Sequence, residues 1–392
     1  MSTYVIASAS RRGKYQRPRT SRHCNQPLLA PYDNVMALQH YLPATHLASF
    51  SLEDAGRRRD RALASGDRRN GKTFVSTAGK LGAIQNFYTV AVDDIWAAYE
   101  SQLEQAVGDL IARHPSAMTW ASVLVPFVAC MFLRGPDFDQ RFRARLEHNL
   151  GPIPEEAKKY LNTDYARVME LQRLLAPIAA AKWIVLSVQG SEDLITNDLG
   201  FAGFTDSETG ETGLAIPLGR RNALGLIPRR RRGVLRLDGG HWVPFIEYRT
   251  LERGKQSEIN RVGAEWAQRF IFGRDEQTVA RYLSTGDGPT DVPGPIEFGF
   301  VSGPLAMVHE FAWHRLISYI QKDPNDLACL TSPVIDWQAV AVGWKPPAIL
   351  PLSHQMSFMT RAAWREGNWL RIDFDDPTGI PEGFNEGKPW PS

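Results

Sequence analysis

The sequence predicts an α+β fold with a mainly helical N-terminal half, a small and mostly antiparallel sheet, and a closing helix. Apolar residues recur at helical spacing through residues 95–180, and short strand-like runs separated by Gly and Pro follow. A last helical pattern begins at Ser257. Of the 392 residues, 43% are hydrophobic and 22% are charged, which is typical of a soluble globular protein with a large core.

The N-terminal segment is basic and lacks apolar periodicity. Its basic side chains are Arg11, Arg12, Lys14, Arg17, Arg19 and Arg22. This composition predicts a disordered basic arm over residues 1–34, in front of an α+β core over residues 35–280.

Net charge and cysteine content limit the function classes. The formal net charge is only +2, so the overall charge does not favour nucleic acid as a partner. The three cysteines, Cys24, Cys130 and Cys329, are odd in number and widely scattered. They predict neither a disulfide framework nor a metal site, and they favour a reducing, cytoplasmic location.

The first predicted helix lies between Ile95 and Leu110, where apolar residues recur about every 3.6 positions. Asp93 and Asp94 precede it and can cap its N-terminus, and His114-Pro115 ends it.

An uncharged segment, Ala117 to Leu133, follows. Its length lies at the short limit of a membrane span, roughly 17–25 residues, and Pro126 lies in its middle. We therefore predict a helix that is buried in a large core and begins near Thr119. Gly135-Pro136 ends it, and no membrane association is expected.

The second half of the core combines helices and short strands. A basic amphipathic segment runs from Asp137 to Leu150, and a helix with a kink near Pro177 precedes a strand that begins at Trp183. Further short strands are predicted at 194–196, 213–218, 224–227 and 233–237.

The segment after about residue 281 has a different composition. Pro and Trp are frequent in it. Tryptophan side chains need apolar surroundings, so we predict a Trp- and Pro-rich C-terminal extension over residues 281–392, either packed on the core or separate.

Several motifs, in shared order, resemble an uncharacterised family. HYLPATHLASF at 40–50 resembles the opening HYVPxxYLxxF of that family. The further matches are Phe87-Tyr88, Glu100 with Glu104, Leu133 to Pro136, the strand 183–188 followed by Ile195 to Asp198, Ile216-Pro217-Leu218, and Ile259-Asn260 with 266–272. On this basis residues 36–275 resemble domain of unknown function family 4238. The family implies no activity, and Leu199-Gly200 replaces its Asn-Pro.

Three residues within these motifs are candidates for catalysis. His40 titrates near neutral pH and can act as a general acid or base, with Tyr41 beside it. Arg134 closes an otherwise uncharged helix and can clamp an anion or pair with a buried carboxylate. Asp198 lies in a turn after a short strand, where it can orient a catalytic group or serve only as a turn residue.

Other residues are candidates for substrate binding. Clustered arginines, Arg57 to Arg59, Arg68-Arg69 and Arg229 to Arg232, can contact phosphates or form solvated loops. We assign substrate binding to Tyr41, Arg229 and Arg230, and the resemblance adds Asn260. Glu104 can serve as a metal ligand or second carboxylate, or be an ordinary surface residue. The sequence predicts no metal site and identifies no cofactor.

Two functions follow from these candidates. The first is an enzyme, a hydrolase or nuclease, that acts on a phosphate-bearing substrate such as RNA, DNA or a nucleotide by His-based acid–base chemistry. The alternative is a non-catalytic binding or sensing module that uses the basic loops and the Trp-rich extension. The enzyme requires His40, Arg134 and Asp198 to converge on one partly open pocket.

Overall fold

The structure is a computed structural model of the full chain. It describes residues 38–53, 56–155, 163–228, 232–251, 253–289, 292–293, 300, 364–366 and 369–373. Helices and mixed sheets form this part of the chain, so the predicted α+β class is confirmed. The predictions for the basic arm at 1–34, for Arg229 and Arg230, and for Cys24 and Cys329 lie outside the described residues.

Eight α-helices are present in the described residues, besides two short 3-10 helices, Ala48–Phe50 and Arg58–Asp60. The α-helices are α1 (Ala44–Leu47), α2 (Val90–Glu100), α3 (Leu103–Ile111), α4 (Ala117–Leu133), α5 (Phe138–Leu150), α6 (Thr163–Ala180), α7 (Arg253–Trp266) and α8 (Glu276–Tyr282). Helix α4 contains a π turn, Trp120–Leu124.

The helix predicted after Asp93 is two helices, and it starts earlier than expected. Thr89 is the residue before α2, and its backbone N–H donates to Asp164 of α6 at 2.7 Å. A contact between residues 75 positions apart therefore sets this helix start, and local capping patterns do not reveal such a contact.

The strands are β1 (Leu38–His40), β2 (Ala62–Asp67), β3 (Lys72–Thr77), β4 (Ala83–Gln85), β5 (Lys182–Val188), β6 (Thr196–Asn197), β7 (Ala202–Thr205), β8 (Thr212–Gly219), β9 (Asn222–Ile227), β10 (Arg232–Asp238), β11 (His241–Pro244), β12 (Ile246–Leu251), β13 (Phe270–Gly273), β14 (Trp364–Glu366) and β15 (Trp369–Asp373). The first four precede the long helices, so the N-terminal half is less purely helical than predicted.

Three of the five predicted strands, 183–188, 213–218 and 224–227, lie in the five-stranded sheet β12-β5-β9-β8-β7, whereas the strands predicted at 194–196 and 233–237 correspond to β6 and β10, which belong to two other sheets. The pairs of the five-stranded sheet are antiparallel except β12 with β5, which run parallel from Ile246 opposite Trp183. Apolar residues fill both faces of β5 and β9, which explains why these strands are evident in the sequence.

A second sheet has the order β3-β2-β13-β6, and all its pairs are antiparallel. It joins residues from three distant parts of the chain. Strand β13 pairs with β2 across about two hundred residues, with Phe270 opposite Asp67. Strands β1 and β4 form a separate pair, with His40 opposite Ala83.

Helix α4 lies in the main hydrophobic core. Every residue from Val123 to Leu133 is buried, and Phe132 packs edge-on against Phe201 with ring centroids 5.1 Å apart. The prediction of a buried core helix is therefore confirmed, although the helix starts at Ala117, where Ser116 caps it, and not at Thr119. Burial of these side chains is the main stabilising contribution, about 1.5–3 kcal/mol for each large one.

Within the described residues, no single helix has the length and hydropathy that crossing a membrane requires. Ala117–Leu133 and Phe138–Ala144 reach them only when taken as a pair, and the two are bent by 72°.

Parts of the C-terminal extension contact the core. Strand β15 pairs antiparallel with β10, with Leu370 opposite Leu235. Phe300 is buried in the main core, where its ring centroid lies 6.2 Å from that of Phe132.

Candidate functional site

The candidate site is a cleft of about 580 Å³ between the β2–β3 hairpin, the start of β13 and the turn before α5. We call it the main cleft. Its charged and aromatic lining residues are Tyr41, Arg69, Phe74, Lys80, Asp137, Asp198, Arg269, Phe270 and Phe272. A volume of this size accommodates a small organic ligand, because such sites typically enclose about 300–1,000 Å³.

The β2–β3 turn positions Arg69 at the cleft. Asp67 ends β2, and its carboxylate accepts hydrogen bonds from the Arg69 backbone N–H at 3.0 Å and from Asn70 at 3.3 Å. Gly71 completes the turn with φ +67°, a value that favours glycine. The local sequence Asp-Arg-Arg-Asn-Gly is typical of such a tight turn.

Arg69 and Lys80 are the free cations of the main cleft. Both side chains are exposed, and among the described residues neither makes a hydrogen bond, an ion pair or a ring contact. Arg269 differs, because its Nη2 lies 2.9 Å from Oδ2 of Asp67. The hydrogen bond from Arg269 lowers the pKa of Asp67, which keeps this pair charged at neutral pH.

Aromatic side chains form one wall of the cleft. The ring centroid of Phe74 lies 6.5 Å from that of Phe270 in an edge-on arrangement, and Phe270 stacks on Phe272 at 6.2 Å. The Arg269 guanidinium lies 4.5 Å from the Phe270 ring centroid. Phe74 is 38% exposed, which leaves part of its ring accessible to a ligand.

Asp198 fixes the backbone that leads into β13. Its carboxylate accepts three backbone hydrogen bonds, from Gln268 at 2.8 Å, Arg269 at 2.6 Å and Phe270 at 2.9 Å. Burial raises the pKa of Asp198 to about 6, and the three N–H groups oppose that rise. The carboxylate lines the cleft while both its oxygens already hold protein donors.

The turn around Asp198 is built by its neighbours, as the sequence predicted. The Asn197 side chain accepts from the backbone N–H groups of Leu199 at 3.1 Å and Gly200 at 2.8 Å, and it donates to Gly263 at 2.7 Å. Gly200 has φ +78°, and a Cβ on it would lie 2.0 Å from Met131. This position therefore requires glycine.

His40 is buried and does not line the main cleft. Its Nε2 donates to the Gly79 carbonyl at 3.1 Å, and Gly79 directly precedes the cleft residue Lys80. Burial lowers the pKa of His40, more than the bond to Gly79 raises it, so the ring is neutral at pH 7. The contact supports the loop that carries Lys80.

Arg134 is buried, with 2% of its surface exposed, and it also lies away from the cleft lining. Its guanidinium donates to the Glu100 carboxylate and to the His40 carbonyl, and it lies 5.7 Å from the Trp96 ring centroid. Burial lowers the pKa of Arg134, but the charge of Glu100 and its hydrogen bond, together with Tyr88 and Cys130, outweigh burial and raise the pKa overall. The buried Arg134 guanidinium thus pairs with the part-exposed carboxylate of Glu100, and pairing with a carboxylate was one of the two alternatives expected from the sequence.

The other candidates from the sequence also divide into residues that line the cleft and residues that lie elsewhere. Tyr41 lines the cleft, and burial strongly raises the pKa of its hydroxyl. Asn260 lies elsewhere and is fully buried, where it accepts from Ile195 N–H and donates to the Asp193 carbonyl, both at 3.0 Å. Glu104 pairs with Arg58 and is 60% exposed.

The structure therefore brings Tyr41 and Asp198 together in the cleft and joins His40 to Arg134 in a buried network.

The sequence did not identify Phe74 and Phe270 as cleft residues, because only the pairing of β13 with β2 brings them together. Arg69 belonged to a basic pair visible in the sequence. The sequence could not distinguish it from Arg68, which is buried and donates to the Ala267 carbonyl at the end of α7, at 2.7 Å.

The described side chains identify no metal or cofactor, and the comparisons with known proteins identify no relative. Among the described residues, no group of three or more His, Cys, Asp or Glu side chains is arranged to hold a metal ion. No protein-family model, curated protein or solved structure matches the chain. The resemblance of residues 36–275 to domain of unknown function family 4238 stays a prediction from its motifs.

Proposed function

We propose that the main cleft binds a phosphate-bearing ligand with a flat apolar part, such as a nucleotide or a nucleotide unit of RNA or DNA. The observation that carries the proposal is the presence of two unengaged cations, Arg69 and Lys80, in the same cleft as the partly exposed Phe74 ring.

Each end of such a ligand has a matching surface in the cleft. Arginine and lysine are the usual partners of phosphate oxygens, and arginine can donate two parallel hydrogen bonds to them. A base has a π-face that stacks on aromatic side chains regardless of its identity, worth about 1–3 kcal/mol. Phe74 and Phe270 supply such rings. Asp137 pairs with Arg141, and Asp198 accepts backbone N–H groups, so neither carboxylate forms an ion pair with Arg69 or Lys80.

Binding without catalysis is the function that the contacts favour. The His40 ring does not line the cleft, and the Arg134 guanidinium and the Asp198 carboxylate already hold groups of the protein itself. A general base needs a free nitrogen or oxygen within hydrogen-bond reach of the substrate. Hydrolase or nuclease chemistry by His40 stays a prediction of the sequence, and the binding proposal does not depend on it.

Calorimetric titration tests the proposal with AMP, adenosine, ribose 5-phosphate and a short single-stranded oligonucleotide. We expect AMP to bind more tightly than either half-molecule. Arg69→Gln and Lys80→Gln should each weaken AMP binding about 10–100-fold, the effect of losing a hydrogen bond between charged groups.

Matched controls separate this effect from a general loss of charge. Lys72→Gln removes an exposed cation from β3 that does not line the cleft, and it should leave AMP binding unchanged. Phe74→Leu should weaken the binding of AMP and adenosine but leave the binding of ribose 5-phosphate unchanged. The change Val75→Leu, at the exposed neighbour outside the lining, should have no effect. Equal losses from Lys72→Gln and Lys80→Gln would contradict the proposal.

A further inference from the structure

A short basic segment borders the main cleft at one end of the β2–β3 hairpin. The hairpin turn carries Arg69, and Lys80 follows the end of β3, so cleft cations flank this strand on both sides. The 3-10 helix Arg58–Asp60 precedes β2 and therefore lies at the Lys80 end of the hairpin, where Ala62 pairs with Thr77. We call residues 57–60 the arginine segment. Its residues do not line the main cleft.

Backbone contacts hold the arginine segment against the loop that carries Lys80. The Gly79 N–H donates to the Arg59 carbonyl at 2.8 Å, and the next pair along is Ala78 N–H to the Arg61 carbonyl at 3.0 Å. A Cβ on Gly79 would lie 3.0 Å from the Arg59 carbonyl oxygen and 3.2 Å from the Arg59 Cβ, so glycine permits this close approach. Because Gly79 directly precedes Lys80, the arginine segment continues the positive charge of the cleft beyond its lining.

Two cations of the arginine segment are unengaged. Arg57 and Arg59 are exposed, and neither side chain makes a hydrogen bond, an ion pair or a ring contact with another described residue. Arg58 differs, because its guanidinium pairs with Glu104. Asp60 is an exposed carboxylate in the same segment and forms no ion pair with a described residue, so it weakens the positive potential without neutralising both arginines.

This arrangement of charge and ring fits a polymer better than a single nucleotide. A mononucleotide in the cleft ends there, whereas a strand that continues past Lys80 brings further phosphates to Arg59 and Arg57. Each phosphate that a cation neutralises releases counterions and so adds affinity. The partly exposed Phe74 ring stacks only on an unpaired base, which favours a single strand over a duplex, and an acidic polypeptide has no base to place there.

We propose that the main cleft and the arginine segment together bind single-stranded nucleic acid. One base stacks on Phe74, and the phosphates that follow it lie along Lys80, Arg59 and Arg57. This inference rests on the function proposed for the main cleft and adds that its ligand is a strand of several nucleotides. RNA and DNA strands share the chemistry that these side chains recognise, so both are tested.

Fluorescence anisotropy with a labelled adenylate hexanucleotide, as RNA and as DNA, tests the inference beside calorimetry with AMP. The hexanucleotide should bind the wild type about tenfold or more tighter than AMP. Arg57→Gln and Arg59→Gln should each weaken the hexanucleotide about three- to tenfold and lower the slope of log K against log[salt] by about 0.7. Both variants should keep the AMP affinity of the wild type, which also shows that they are folded, whereas Arg69→Gln should weaken both ligands.

A gain of binding supplies the second arm. Asp60→Asn removes the opposing charge and should tighten hexanucleotide binding about two- to threefold, with AMP binding unchanged. Arg261→Gln makes the same change of charge as the arginine variants in an exposed pair on α7, and it should alter the binding of neither ligand.

The outcomes separate this inference from the function on which it rests. If AMP binds but the hexanucleotide binds no more tightly, or if Arg57→Gln and Arg59→Gln leave hexanucleotide binding unchanged, only this inference is overturned. It is also overturned if poly-glutamate or a duplex of the same length binds as tightly as the single strand. Absence of AMP binding to the wild type would overturn the proposed function and this inference with it.

Discussion

His40 Nε2 lies 3.1 Å from the Gly79 carbonyl oxygen, one residue before Lys80 of the main cleft. The strongest catalytic candidate of the sequence thus contacts the backbone of the loop that carries a proposed phosphate-binding cation. This relationship makes His40 a positioning residue in our account, acting on the cleft through Gly79.

Replacing His40 distinguishes positioning from acid–base catalysis. His40→Ala should lower the free energy of unfolding by about 1 kcal/mol, because it leaves the part-buried Gly79 carbonyl without its donor. It should also weaken AMP binding through the displaced Lys80. His40→Gln retains an N–H donor and should recover much of both properties, measured by urea unfolding and calorimetry.

Comparison of His40→Ala with His40→Gln decides between a positioning role and a catalytic role for His40. If His40→Gln loses a phosphate-transfer or hydrolytic activity while it keeps wild-type AMP affinity and stability, His40 is a catalytic residue and our assignment is wrong.

Arg134 should matter for stability more than for ligand binding. Arg134→Gln removes the buried partner of the ion pair with Glu100, which is 27% exposed, and leaves the His40 carbonyl with a poorer donor. Breaking a fully buried pair costs about 3–5 kcal/mol, and the exposure of Glu100 reduces that cost, so guanidinium denaturation should show a lower midpoint with a loss below this range. Arg261→Gln, which removes an arginine from an exposed ion pair on α7 outside the cleft lining, is the control for a lost arginine. A fully stable Arg134→Gln protein that no longer binds AMP would refute this assignment.

The sequence reveals elements whose pattern is local and misses those that depend on distant partners. Strands β5 and β9 are continuous apolar runs, and α4 is uncharged, so both kinds of element were predicted correctly. Strand β3, Lys-Thr-Phe-Val-Ser-Thr, is short and half polar, and it was not predicted. It is stabilised by pairing with β2, which in turn pairs with β13.

The candidate site shows the same difference between features set by local sequence and features set by distant partners. The Asn197 to Gly200 turn was evident from its residue types, because side-chain bonds and glycine define it locally. The cleft was not evident from the sequence, since Arg69, Lys80 and Phe270 come from three separate segments. A titratable residue in a distinctive motif, such as His40, does not show from sequence whether its ring faces solvent or the core.

Stability should depend on pH through His46. Burial lowers the pKa of His46 from 6.5 to about 4 in the folded protein. Between these values the unfolded chain takes up the proton and the folded protein does not. Stability is therefore greatest above pH 6.5 and falls toward pH 4, by about 3 kcal/mol in total from this residue.

Urea unfolding of the wild type and His46→Phe at pH 7.5, 6 and 5 measures this contribution. The pKa of His40 is lowered in the same direction, so the difference between the two proteins isolates His46. The exposed residue His114, changed to Phe, provides the background. A difference between wild type and His46→Phe that does not vary with pH would disprove the prediction.

Asp198 should be required for the geometry of the cleft. In Asp198→Asn an amide N–H₂ would face backbone N–H donors that the carboxylate now accepts. We expect a loss of about 1.5–3 kcal/mol in stability, together with weaker AMP binding. Asp94→Asn, at an exposed position of α2, should change neither property. Unchanged stability of Asp198→Asn would show that the three N–H bonds do not hold β13.

Photo-crosslinking with 8-azidoadenosine 5′-monophosphate, followed by peptide mapping, tests most directly whether the main cleft is the binding site. We expect label on peptides that contain Phe74 or Phe270, with excess AMP suppressing the label and Arg69→Gln reducing it. Label confined to peptides outside the cleft lining, or label that excess AMP does not suppress, would show that the main cleft is not the binding site.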